Sequence, residues 1–450
     1  MPHTTRNVAC TICGCVCDDL TITVEDDRVT HAEGVCGLAE PWFRALNSTH
    51  PPVASIDGRP AELEFAYARA AELLLASHSP LIYGLSRSTT DGQRAATALA
   101  ECLGATIDTT ASTGHAPSLL ALQEVGESTC TLGEICNRAD LVIFWGSDPV
   151  LTHPRHLERY SLHPTGRFIP NGRRDRFLVV VDDRETETAK LADLFIRIPP
   201  GQSCEAFEAM RMLVKGLANV PAPMVELFAD LVRRMKACRC GVVFFGVSLT
   251  REAAAHRTIA SLLQLVTDLN LFTRFYARRM RRFGDVAGAD AVLSWQTCYP
   301  FGVNFFRGYP RYNPGEFTGP EMLARGEVDL CAIVGGETAA DLPDESMKKL
   351  TRIPVILLDP PGVEPLVPAA VRFITAVYGV HRPGTAYRMD NVPIPLRVIL
   401  PTDYPSDDEV LGELLRRAER REPPGDDQPG GSPLSDRDRL ILSRHDTRRR

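Results

Sequence analysis

The segment ADLVIFWGSDPVLT, residues 139–152, decides the fold class, because its apolar run from Leu141 to Trp145 leads straight into Gly146 and the polar turn of Ser147 and Asp148. A half-buried strand alternates apolar and polar residues, whereas an unbroken apolar run of this length fits a strand covered on both faces. The same shape recurs at LIYG (81–84), FLVVVDD (177–183), VVFFG (242–246), CAIVGG (331–336) and VILLDP (355–360), with Ala/Leu-rich helical stretches such as EFAYARAAELLLA between them. That rhythm predicts parallel sheet built from βα units, an α/β body. Four of the runs end in glycine followed by small or polar residues: GLSRSTTD, GSDP, GVSLT and GGET. Ligands of open α/β sheets bind beyond the carboxyl ends of the strands, where glycine lets backbone approach a phosphate or ring. Two similar nucleotide-sized sites are therefore expected, with simple turn closure as the alternative at each glycine. No complete G-x-G-x-x-G or P-loop occurs, so NAD or ATP binding gains no direct support.

Ahead of this body stands CTICGCVCDDL (10–20), followed by EGVCG (33–37), giving C-x2-C-x3-C and a fourth cysteine after eighteen intervening residues. Between them, LTITVEDDRVTHAEGV alternates around Asp26-Asp27, the pattern of a β-hairpin. Three thiolates in one loop and a fourth returned by a hairpin suit the corners of a [4Fe-4S] cluster at Cys10, Cys13, Cys17 and Cys36. Zinc is the competitor, although its structural sites usually show two spaced cysteine pairs. Cys15, inside the triad, is a fifth candidate that would replace Cys13 or Cys17. The remaining cysteines are scattered and read as buried thiols.

With 450 residues, 44% hydrophobic and 24% charged, the chain is long enough for several compact modules. Its start lacks a secretory pattern and no long uncharged apolar stretch occurs, so a cytoplasmic protein away from membranes is expected. A net charge of -7 disfavours nucleic acid as a partner. The basic run Arg278, Arg279, Arg281 and Arg282 reads as a solvated face, with anion binding as the alternative. Four regions are expected: a cysteine module over 1–58, the α/β body over 59–335, its C-terminal part with a β-rich closing segment over 336–404, and a largely disordered tail over 405–450.

The segments at 131–161, 179–201, YPFGVNFFRGYPRYNPGEFTG (299–319) and GTAYRMDNVPI (384–394) resemble the B-type subunit of formylmethanofuran dehydrogenase, a molybdopterin oxidoreductase. The resemblance covers roughly residues 8–400. It implies two pterin guanine dinucleotides holding tungsten or molybdenum, with Gly146, Ser147, Asp148, Asp182, Asp183, Thr186, Gly246, Gly335 and Gly336 at the strand ends as candidate contacts. For Asp148, Asp182, Asp183 and Thr186 the alternative is helix capping. The run HPRH, with His153, Arg155 and His156, is either a phosphate contact or a polar loop. In ASTGHAPSLLALQ (111–123) the family carries cysteine or selenocysteine before the histidine as a ligand of the metal, and Gly114 stands there instead. His115 remains, with Arg307 or Arg311 as the family's substrate-facing arginine, an acid/base group and a carboxylate clamp. Three functions follow. The first is a non-redox subunit of a formyltransferase/hydrolase complex, working with A, C and D-type subunits and a methanofuran-like polyglutamate carrier that Arg278 to Arg282 would contact. The second is an active dehydrogenase subunit interconverting CO2 and formate, and the third a structural iron-sulfur or zinc protein.

Overall fold

The structure, a computed structural model, describes residues 1–420. All six apolar runs are strands, and they divide between two parallel sheets rather than one. The first sheet has nine strands. Its five central ones, Thr106–Thr109, Pro80–Gly84, Leu330–Val334, Val355–Asp359 and Val371–Ile374, are mutually parallel. Short antiparallel strands close both edges, Val303–Asn304 with Arg311–Tyr312 on one side and Ala54–Ile56 with Arg59–Ala61 on the other. The second sheet is wholly parallel, in the order Leu194–Arg197, Phe177–Asp182, Leu141–Trp145, Cys240–Phe245, Arg274–Arg279.

Burial on both faces explains the unbroken apolar runs. In the nine-stranded sheet, Ile82, Ile107, Ala332 and Ile356 face the helices Leu63–Ala76, Thr90–Leu103 and Asp407–Glu419, while Leu81, Tyr83, Ile333 and Leu357 pack on the opposite side with Met322 and Leu350. In the second sheet, Ile143, Trp145, Val179 and Phe245 pack on the helices Ser203–Val214, Ala222–Ala237 and Ala255–Leu269. Its other face, Val142, Phe144, Val180 and Phe244, is covered by Val8, Leu20, Ile22 and Phe43 of the N-terminal module. The cysteine module is thus one layer of the second sheet's core.

The expected hairpin forms from Leu20–Glu25 and Arg28–Glu33, joined by Asp26 and Asp27 with φ of 50° and 56°, the geometry of a two-residue type I′ turn. A third strand, His3–Val8, pairs with it. Gly384–Tyr387 and Pro393–Leu396 make a small antiparallel pair. Secondary structure continues across two of the expected regional boundaries and into the expected tail. The boundary at 58/59 falls in the turn joining two paired edge strands. The boundary at 335/336 separates Leu330–Val334 from Val355–Asp359, which are neighbours in one sheet. Part of the expected disordered tail is a helix, Asp407–Glu419, started by a capping box in which Ser406 and Glu409 bond each other's backbone. Residues 421–450 of that tail lie outside the described residues. No helix among the described residues is long and apolar enough to cross a membrane.

Candidate functional site

Two places concentrate chemistry, and both depend on where the sheets end. The first is the cysteine loop. Cys10, Cys13, Cys15, Cys17 and Cys36 line one small cavity with Ile12, Val35, Pro154 and Arg155. The loop is closed by the Cys10 amide on the Cys17 carbonyl at 2.7 Å, and Cys36 enters from the end of the hairpin, where its carbonyl starts the helix Glu40–Ala45. Burial, followed by the neighbouring Cys13, pushes the Cys10 thiol up, and burial pushes Cys17 up to about 11 despite the Arg159 charge. Cys13 moves the other way, chiefly because the Cys15 thiol donates to it. Cys15 therefore acts in this arrangement as a partner of Cys13.

The residues around HPRH brace this loop. Arg155 forms a bidentate pair with Asp19 at 2.7 and 2.8 Å, and Arg159 reaches Asp18 at 2.8 Å. His153 is buried and donates from Nε2 to the Arg281 carbonyl at 2.8 Å. His156 is buried with Nδ1 on Ser161 at 3.0 Å, and burial drives its pKa down, so it is neutral. The run thus follows its polar-loop reading, its arginine committed to carboxylates.

The second place lies where the carboxyl ends of strands from both sheets meet. His115 follows the strand Thr106–Thr109 of the first sheet, and Arg281 follows Arg274–Arg279 of the second. Both reach Asp290 on the helix Val286–Thr297: His115 Nε2 lies 3.1 Å and Arg281 Nη1 2.6 Å from Oδ2, while Thr109 donates to Oδ1 at 3.0 Å. Burial and then the Arg281 charge lower the His115 pKa to about 4, so the imidazole is neutral near pH 7. Burial would raise Asp290, but Arg281 and His115 outweigh it and hold the carboxyl below its usual range. His115 Nε2 lies 3.1 Å from both the Asp290 carboxylate and the Arg281 guanidinium, so it donates to the first in one neutral tautomer and accepts from the second in the other.

Neither Arg307 nor Arg311 takes part. Arg307 is exposed beyond the strand Val303–Asn304, and Arg311 donates to Asn304 at 2.6 Å beneath Phe317. The arginine beside His115 is Arg281, from the basic run expected to be a solvated face. In that run only Arg282 is exposed, bound to Asp341 at 2.5 Å. Arg278, Arg279 and Arg281 are buried, Arg279 against Glu127 and Arg278 on Thr129 at 2.6 Å and on the Met389 carbonyl. All three line a cavity of about 550 Å³ with Asp290, Trp295, Cys298 and Tyr387.

Gly114 sits at the same convergence. Its carbonyl accepts from Thr250, which follows the strand Cys240–Phe245, at 2.8 Å. A Cβ placed on Gly114 would meet nothing within 4 Å, and its φ is not positive, so glycine is not required there by space or backbone. The contrast is Gly146, with φ of 55°, where a Cβ would lie 1.9 Å from Ser248 Oγ.

The other strand-end candidates are mostly engaged locally. Asp148 accepts from the Thr188 amide at 3.1 Å, its hydroxyl at 2.5 Å and the Glu187 amide at 3.3 Å, and Thr186 caps Ala189. Asp148 thus ties down the 187–188 turn rather than capping the helix Pro149–Thr152 that follows it, and Thr186 closes that same turn. Asp182 accepts from the Asp183 amide at 2.9 Å; burial, then Asp183, raises its pKa. Gly246 packs against the turn of Gly146 and Ser147. Gly336 donates to Asp359 at 2.7 Å, and Gly335 lines a cavity of about 230 Å³ with Arg87, Glu337 and Asp407. There Arg87 is already held by Glu337 and by the Thr11 carbonyl at 2.7 Å. Among the described residues, the arginine lining that cleft is therefore already paired.

The donor sets can be compared with the groups the resemblance implies. Four or five thiols around one cavity are the donor type that an iron-sulfur cluster takes. Among the described residues no three His, Cys, Asp or Glu side chains gather closely enough for a single ion. Glycine at 114 offers a tungsten or molybdenum no donor atom, and the thiol among the residues lining the large cavity is Cys298.

No family profile matches the sequence. The chain is 41% identical over 433 residues to the B-type subunit of tungsten-containing formylmethanofuran dehydrogenase 2 of Methanocaldococcus jannaschii, covering 93% of this chain and 99% of that one. It is 28% identical over 277 residues, 61% of this chain and 72% of the other, to the B-type subunit of the formyltransferase/hydrolase complex Fhc of Methylorubrum extorquens. The crystal structure of that organism's FhcABCD complex with methylofuran contains a similar fold, at a TM-score of 0.67 and 24% identity over 81% of this chain and 98% of that one. Acetylene hydratase from Pelobacter acetylenicus shares the fold at a TM-score of 0.64 and 12% identity, over 92% of this chain and 69% of that one.

Proposed function

The chain belongs to the family of formylmethanofuran dehydrogenase B-type subunits, and on that premise we propose that it acts in one-carbon metabolism as a non-redox subunit of a formyltransferase/hydrolase complex. The observation that carries this reading is Gly114: the position beside His115 and Arg281 supplies no atom for a redox metal, while the surrounding polar set is intact. Formyl transfer from formyl-tetrahydromethanopterin to a methanofuran-like carrier, and hydrolysis to formate, need no electrons. In this reading A, C and D-type subunits supply the chemistry in the cytoplasm and this chain is their scaffold, its buried arginines within reach of a carrier's carboxylates only through the large cavity. Cys10, Cys13, Cys17 and Cys36 hold a [4Fe-4S] cluster that staples the N-terminal module to the second sheet, and when bound such a cluster can also store one electron.

His115, Asp290 and Arg281 then work as a fixed polar unit. Asp290 orients the imidazole, and Arg281 keeps Asp290 ionised.

The test is metal analysis and two assays on the complex purified anaerobically. Iron without tungsten or molybdenum, together with formate release from formyl-tetrahydromethanopterin and no dye reduction, supports the reading. Stoichiometric tungsten or molybdenum with pterin, and dye reduction by the formylated carrier, overturns it in favour of a dehydrogenase subunit. That second reading draws on the near full-length 41% identity to a tungsten-containing relative and on the complete cysteine set.

A further inference from the structure

The carbonyl of Arg281 is a meeting point of three segments that are remote in sequence. His153 donates to it at 2.8 Å, and the amide of Gly14, in the middle of the cysteine loop, donates to it at 3.2 Å. Gly14 is needed for this approach: a Cβ there would lie 2.4 Å from the Arg281 oxygen, closer than any side chain is tolerated. The seam continues on both sides. The Met389 amide donates to the Gly14 carbonyl at 2.8 Å, and a Cβ on Gly284 would come within 2.0 Å of the Thr11 carbonyl. The cysteine loop and the segment 281–284 are thus packed backbone on backbone, with glycine on each side of the seam.

His153 is committed to this contact by both ring nitrogens. Nε2 donates to Arg281 and Nδ1 lies 2.9 Å from the Thr152 hydroxyl, in a side chain only 3% exposed. Its own backbone segment is tied to the cysteine loop by Arg155 with Asp19 and Arg159 with Asp18. A shift of the loop therefore moves His153 and Gly14 together, and both pull on the one carbonyl that fixes where the Arg281 side chain begins. From there the guanidinium spans to Asp290 and stands 3.1 Å from His115 Nε2.

We propose that His153 and Gly14 are positioning residues, holding the Arg281 main chain so that its guanidinium stays on Asp290 beside His115, and that the cysteine loop thereby sets the geometry of the His115 site. The proposal rests on reading His115, Asp290 and Arg281 as the working unit. It does not depend on which reaction the complex carries out.

The proton affinity of His115 reports the position of Arg281, because the charged groups facing the ring are Arg281, Asp290 and, farther off, Arg279. The experiment is histidine ring NMR on the full chain labelled at Cε1, with the His115 signal assigned by its loss in His115→Gln. The native chain shows no His115 titration above pH 5. In His153→Ala, Arg281 is released, its charge recedes, and the His115 midpoint rises by about one pH unit or more. His153→Gln, which keeps a donor for the Arg281 carbonyl, restores the native behaviour. Gly14→Ala pushes on the same carbonyl and raises the midpoint in a chain whose His153 is intact, so it serves if His153→Ala fails to fold. A residue that merely stabilises the fold lowers the melting temperature without moving His115. Folded His153→Ala or Gly14→Ala with an unmoved His115 midpoint overturns the proposal. Because turnover is not read, dye-linked activity of the complex would overturn the function proposed above and leave this result untouched.

Discussion

Around the cysteine loop, five thiols from two elements line one cavity, and two arginine–aspartate pairs and a buried histidine brace it. Where the sheets converge, a histidine, an aspartate and an arginine interlock with similar economy, yet the neighbouring position carries only a hydrogen atom. One place gathers five thiols; the other gathers a histidine, a carboxylate and a guanidinium, with no side chain at position 114. The lesson is that the loss is local. The space beside Gly114 is open, and the polar unit next to it is complete without any side chain at that position.

The contrast can be broken at several points. On the cluster proposed above, replacing Cys36 with Ala removes the thiol that the hairpin contributes, and iron of about four atoms per anaerobically purified chain should fall to background by metal analysis. Unchanged iron would show that Cys15 and the triad suffice. At the convergence, Asp290→Ala leaves the buried Arg281 guanidinium without its carboxylate, a loss of about 3–5 kcal/mol that a denaturant titration should register.

His115 gives the same region a pH signature. The unfolded imidazole takes up a proton near pH 6.5, whereas the folded one resists until about 4. The unfolded chain therefore binds more protons in between, so the contribution is fully present above pH 6.5 and disappears as the pH falls toward 4. It is on the order of 3 kcal/mol, and His115→Gln should flatten that part of the acid limb. Gly114→Cys, by contrast, should cost less than about 1 kcal/mol, because its Cβ enters open space; a drop in melting temperature larger than this would mean that the space is not available. The smallest effect belongs to Arg307→Ala, within about 0.5 kcal/mol and without influence on the His115 titration, since the side chain is exposed and away from Asp290.

Much of this architecture is legible in the chain itself. Runs buried on both faces, such as Leu141–Trp145, identify themselves by composition, and the Asp26-Asp27 turn marks its hairpin because few residues accept positive φ. The features that sequence conceals depend on distant partners. RFYARR (274–279) looks like surface because its charges suggest water, yet Arg279 is neutralised by Glu127 and Arg281, just beyond, by Asp290, and no local pattern announces either pair. The same reason hides Arg281 as the arginine beside His115, for which the sequence points to Arg307 or Arg311. Strand Thr106–Thr109 hides because its sequence, TIDT, is polar: Asp108 is buried but accepts from the amides of Gly302 and Gly319 at 2.9 and 2.6 Å. The helix Asp407–Glu419 is a different case. Its Ser-x-x-Glu start is a readable signal that the neighbouring charged tail obscures.

The nine-stranded sheet draws its strands from residues 54–109 and again from 303–374, with the whole of the five-stranded sheet lying between them in sequence. A ribosome therefore finishes the second sheet while the first is still missing five of its nine strands. The exposed edge of Pro80–Gly84 must wait for Leu330–Val334, about 250 residues downstream, before it can pair. Assembly of this chain should accordingly begin with the inserted unit and the cysteine module that covers it, leaving the first sheet's half-built edge as the point most exposed to aggregation during synthesis.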